Sequence, residues 1–81
     1  MARCRAEFIV EPFEEGHLGP HVSAAIAAAE RAGLVPDVGP FGTSIEGEVA
    51  AVLAALDAVL SESLAAGATR VSAQLTVVAE G

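Results

Sequence analysis

The sequence predicts an α+β fold in which a four-stranded antiparallel sheet carries two helices on one face. Three observations lead there. Apolar and polar residues alternate strictly near both ends of the chain, two inner segments repeat apolar residues at helical spacing, and glycine–proline punctuation sets off short extended segments between them. The resulting order is βαββαβ. Two helices can cover only one face of such a sheet, which makes a two-layer sandwich of ferredoxin-like topology with its other face open.

The first strand runs from Arg3 to Glu11. Cys4, Ala6, Phe8 and Val10 share one face, and Arg3, Arg5, Glu7, Ile9 and Glu11 share the other. Pro12 ends it, and Phe13 to His17 read as a loop. Gly19-Pro20 opens the first helix, with the proline where its missing N–H is not needed. Val22, Ala25, Ile26 and Ala29 form the inner stripe of a helix reaching about Ala32, and Gly33 is placed to cap it. Leu34 to Val38 reads as the second strand, and Gly39-Pro40 turns the chain into a third that begins near Phe41. Val49, Val52, Leu53, Leu56, Val59, Leu60 and Leu64 mark the second helix, closed by Gly67. In the last strand Val71, Ala73, Leu75 and Val77 alternate with Arg70, Ser72, Gln74 and Thr76.

At 81 residues the chain reads as one domain, 1–81, with a core small enough that self-association is expected to supplement it. Only 4% of the residues are aromatic, so that core is built from Ala, Val, Leu and Ile. The single cysteine, Cys4, excludes an internal disulfide and a multi-cysteine zinc site, and its place in the first strand predicts a small buried hydrophobe. A net charge of −7, with four basic residues, argues against nucleic acid, whose binding needs clustered cations. No signal peptide and no apolar run of spanning length is legible, so no membrane partner and a cytoplasmic location are expected.

Chemistry concentrates between Gly39 and Glu48. On a strand, Ser44, Glu46 and Glu48 share a face opposite Phe41, Thr43 and Ile45, so a hydroxyl and two carboxylates point the same way. Glu46 is the expected ligand carboxylate, while Glu48 suits the N-terminus of the following helix, where negative charge complements the dipole. Glu14 and Glu15 read as solvated loop residues. Arg70 can pair across neighbouring strands with Glu7 or Glu11, or else contact a ligand. His17 and His21 are separated by Gly19-Pro20 and do not share a helix, so no metal site is expected. The glycines match no nucleotide-binding pattern, and Ser44 lacks a nucleophile-elbow context, so catalytic residues are not expected.

Four short motifs together resemble the small thiamine-binding proteins: Glu11-Pro12, Ala32-Gly33-Leu34, the Gly39 to Gly47 run with its Gly-Thr-x-Ile-Glu-Gly core, and Gly67-Ala68-Thr69-Arg70-Val71. The resemblance spans almost the whole chain and is most specific in the Gly39 to Gly47 run. It implies a ferredoxin-like domain that assembles through its sheets into homodimers or homotetramers. It also implies binding, without turnover, of thiamine or a related pyrimidine, a small cationic molecule held as ligand and not as a cofactor.

The expected ligand-binding residues are Glu46, Thr43, Ser44, Glu11, Arg70 and Ser72. Thiamine's thiazolium is a permanent cation suited to a carboxylate, and its aminopyrimidine needs paired donors and acceptors. Two other readings compete: a regulatory or structural module of ACT-like kind, whose open sheet binds a partner subunit, and an enzyme with Glu46 as base.

Overall fold

The computed structural model describes residues 2–12, 19–39 and 42–79. The elements follow the expected order: β1 (Arg3–Glu11), α1 (Pro20–Arg31), β2 (Asp37–Val38), β3 (Thr43–Glu48), α2 (Val49–Ala65) and β4 (Arg70–Ala79). They form one antiparallel sheet in the order β2-β3-β1-β4, so β1 and β3 lie at the centre and β2 and β4 at the edges.

The alternation of β1 becomes burial directly. Cys4, Ala6, Phe8 and Val10 are buried beneath the helices, while Arg3, Arg5, Glu7 and Ile9 are exposed on the reverse face. Cys4 is fully buried and free, as its position predicts. The core closes over this row with Ile45 of β3, Ala25, Ala28 and Ala29 of α1, and Val52, Ala55 and Val59 of α2. Ala25, Ala28, Ala29 and Ala55 are small, and small side chains at a helix contact allow the two backbones a close approach. Ser63 is also buried there, and its hydroxyl donates to the Val59 carbonyl at 2.6 Å, the usual way a helix satisfies an inward serine.

Both helices end in the same Schellman motif. Gly33 N–H donates to the Glu30 carbonyl and Leu34 N–H to that of Ala29; Gly67 N–H donates to Leu64 and Ala68 N–H to Ser63. The glycines have φ of +88° and +111°, a region that side-chain-bearing residues avoid. Among the described residues these are the only positive-φ positions, so the glycines of the Gly39 to Gly47 run serve another purpose. A Cβ on Gly42 would lie 3.1 Å from the Phe8 carbonyl oxygen and 3.2 Å from Ile9 Cγ1, and one on Gly47 would lie 3.1 Å from Leu34 Cδ2. These glycines make room.

Two departures from expectation concern the edges. The second strand is Asp37–Val38 only, because Leu34 is used up in the helix cap and Pro36 has no N–H to give a ladder. At the other edge, Ala73, Leu75 and Val77 stand opposite Phe8, Ala6 and Cys4 and so face the helix side, yet they remain exposed. The helices lie over β1 and β3, and β4 packs on β1. Periodicity told which face of β4 was apolar; the position of two helices over the sheet centre decided that it stayed uncovered.

Candidate functional site

The face away from the helices carries a row of residues that crosses all four strands in register. Asp37 of β2 pairs with Ser44 of β3, Ser44 with Glu7 of β1, and Glu7 with Gln74 of β4. Directly opposite residues on neighbouring antiparallel strands share a face, so these four side chains stand side by side. The next row, one step along, is Glu46, Arg5 and Thr76.

A cleft of about 500 Å³ opens above the first row. Its lining includes Arg5, Glu7, Ile9, Asp37, Ser44, Ser72 and Gln74, with Gly39, Gly42 and Thr43 from the β2–β3 hairpin. That size lies within the range of small-ligand sites, roughly 300–1,000 Å³. A smaller hollow adjoins it, lined by Arg5, Val35, Asp37, Ser44, Ile45 and Glu46. Arg5, Asp37 and Ser44 therefore border both.

Local sequence explains the walls. Gly39 N–H donates to the Gly42 carbonyl at 2.7 Å, which closes the hairpin tightly enough to hold Asp37 beside Ser44. The missing side chain of Gly42 lets the hairpin backbone lie against the Phe8 carbonyl and the Ile9 side chain. Ile9, 42% exposed and opposite Ser72, gives the cleft an apolar surface amid its polar groups.

The six residues singled out from sequence fall in three places. Ser44 and Ser72 line the cleft. Glu46 is on the expected face and exposed, but it borders the adjoining hollow and not the main cleft. Glu11 and Arg70 lie at the far end of the β1–β4 ladder and pair with each other, Arg70 Nε to Glu11 Oε2 at 3.5 Å. Thr69 N–H donates to the Glu11 carbonyl at 2.8 Å, so this corner is knitted together away from the cleft.

Thr43 is opposite Phe8 and only 7% exposed; its side chain belongs to the helix-facing row, and its place in the cleft lining is at the hairpin. Its hydroxyl is therefore not set beside that of Ser44, a consequence of the strand alternation itself.

Four charged or polar residues of the cleft stand outside those six: Arg5, Glu7, Gln74 and Asp37. Glu7 and Gln74 were legible as occupants of the open face, but nothing in the sequence sets the register that makes them neighbours at its centre. Asp37 sits on a two-residue strand too short for alternation to be read. The usable signal was its place just before the glycine–proline turn.

Other candidates resolve differently. Glu48 occupies the N-cap position of α2, exposed and without a side-chain cap bond. His21 is in the first turn of α1, with its Nε2 2.5 Å from the Pro12 carbonyl, tying that helix to the end of β1. Phe13 to His17, including Glu14 and Glu15, and also Pro40 and Phe41 lie outside the described residues. Among the described residues no helix is long and apolar enough to cross a membrane.

Solved structures share this architecture. A domain of unknown function from Bacillus cereus superposes with a TM-score of 0.70 at 23% identity, covering 96% of this chain and 76% of its own. A hypothetical protein from Methanocaldococcus jannascii gives 0.72 at 23% identity over 100% of this chain and 84% of that one. A Thermotoga maritima protein assigned provisionally to thiamine biosynthesis or salvage gives 0.67, also at 23% identity, over 96% and 84%. At that identity the likeness establishes the fold. No curated protein matches the sequence. The family model described as thiamine-binding protein matches residues 6–79, from the middle of β1 to the end of β4, and by that match the chain belongs to the thiamine-binding protein family.

Proposed function

We propose that the protein binds thiamine, or a related compound with a pyrimidine or thiazolium ring, in the cleft on its uncovered sheet face and releases it unchanged. The observation that carries this reading is the in-register row Asp37–Ser44–Glu7–Gln74 along the cleft floor. A heteroaromatic cation needs negative charge nearby and a line of donors and acceptors for its ring edge. Glu7 and Asp37 offer carboxylates, Gln74 both a donor and an acceptor, and Ser44 a hydroxyl that can serve as either. Glu46, at the adjoining hollow, adds a third carboxylate within reach of a ligand that extends over Arg5 and Asp37.

Titration calorimetry with thiamine tests the reading: saturable heat supports it, and none at millimolar ligand removes it.

In our reading the protein works as a homodimer or homotetramer in the cytoplasm. The exposed apolar row of β4 favours self-association. Leu75 and Val77 are 45% and 59% exposed on an edge strand of ten residues that contains neither lysine nor proline. Such an edge offers unpaired N–H and C=O groups beside apolar surface, which a second copy can cover.

A further inference from the structure

We propose that the cleft selects the unphosphorylated cation and turns away its phosphate esters. This inference rests on the reading above, and it follows from where the arginines stand.

The chain has four arginines and no lysine, and each either stands opposite a glutamate in the ladder or is paired with one. In the ladder Arg3 is directly opposite Glu48, Arg5 is opposite Glu46, and Arg70 is opposite Glu11. Arg31, away from the sheet, is paired with Glu62. Each arginine of the uncovered face thus has a carboxylate at the register position opposite it, and Arg70 also forms an ion pair with Glu11.

Glu7 and Asp37 are the remainder. Glu7 has Ser44 on one side and Gln74 on the other, and Asp37 has Ser44, so neither faces a cation in register. Both line the cleft, where Arg5 is the single guanidinium. Arg5 in turn has Glu46 opposite it and Glu7 two residues along the same face. The uncompensated charge of the site is therefore negative, within a chain of net charge −7.

A ring cation gains from that field. A phosphate ester on the hydroxyethyl arm of the thiazolium brings about −1.5 to −2 charges near neutral pH. It would have to sit beside Glu7 and Asp37, where the one guanidinium of the lining, Arg5, is flanked by Glu46 opposite it and Glu7 on its own strand. Discrimination by like-charge repulsion needs no steric block, so the ester can fit the cleft and still bind poorly.

Calorimetric titration of the wild-type protein with thiamine, thiamine monophosphate and thiamine diphosphate decides the matter. The expected order is thiamine tightest, monophosphate weaker by about tenfold or more, and diphosphate weaker again. Because the effect is electrostatic, the gap should narrow as salt is raised. In the Glu7→Gln, Asp37→Asn double variant, whose substitutions are on exposed positions, it should shrink to about threefold or less. A monophosphate that binds as tightly as thiamine, or tighter, overturns the inference while leaving thiamine-family binding intact. Loss of that preference in Arg5→Gln would then identify Arg5 as a phosphate receptor. Absence of heat from all three ligands overturns the functional reading, and this inference with it.

Discussion

Glu7 and Gln74 stand directly opposite each other across the β1–β4 ladder, on the uncovered face and in the lining of its cleft. A carboxylate beside a carboxamide presents acceptors next to an N–H donor, the complement of an aminopyrimidine edge. Gln74→Met keeps the length and roughly the volume but removes both hydrogen-bonding groups. It should weaken thiamine binding by about threefold to thirtyfold, with the isolated pyrimidine moiety losing at least as much as thiamine. Competition titration with the two ligands reads this directly.

Glu46 borders the adjoining hollow and not the main cleft, so a ligand seated over the Asp37–Ser44–Glu7–Gln74 row meets its charge less directly than that of Glu7. Glu46→Gln should lower thiamine affinity by less than Glu7→Gln does, by about twofold to tenfold against about tenfold to a hundredfold, on the scale of a charge-assisted hydrogen bond of ~1.5–3 kcal/mol. Parallel titrations of the two variants, with thermal unfolding as a check on folding, would show the order. A larger effect at Glu46 would move the ligand's cation to the smaller hollow.

The contrast between these glutamates shows what was legible in the sequence. Strand alternation put Glu7, Glu46, Ser44 and Ser72 on one face correctly, because a two-residue period is a local property. Which of them meet is set by register between strands far apart in sequence, and no local pattern encodes it. The same limit applies at Arg70 and Glu11. Their pairing was readable as one alternative, and the register places it at the ladder's far end, away from the cleft. Apolar periodicity likewise found both helices and the core row Cys4, Ala6, Phe8 and Val10, but it did not show that the apolar row of β4 lies beyond the helices.

That uncovered row makes a prediction about assembly. Sedimentation should show a dimer or larger species at micromolar concentration, and Leu75→Lys with Val77→Lys should shift it toward monomer without loss of fold, because neither side chain is buried. A wild-type protein that is folded and monomeric throughout that range would rule out β4 as an interface.

Phe8 is 2% exposed and is the largest side chain of the core, in a chain with 4% aromatic residues. Phe8→Ala should cost about 3–5 kcal/mol, a large part of the roughly 5–15 kcal/mol that native domains have. Chemical denaturation should show a strongly reduced midpoint or a protein already unfolded in buffer.

Gly67, with φ of +111°, closes α2 before β4 begins. Gly67→Ala should destabilise by about 1–2 kcal/mol, the cost of left-handed backbone for a residue with a Cβ, while the open space around it spares any clash. Since the cleft lies on the other side of the sheet, thiamine affinity of the folded variant should stay within about twofold of the parent, a difference of only ~0.4 kcal/mol.

The central claim is that Glu7 anchors a cationic heteroaromatic ligand in the cleft, and titration calorimetry of thiamine into the wild-type protein and into Glu7→Gln tests it most directly. The account predicts saturable binding to the wild type, and a fall of about tenfold to a hundredfold in a Glu7→Gln protein that melts as the parent does. Equal affinity in the two folded proteins, or no saturable heat from the wild type at millimolar thiamine, would contradict it.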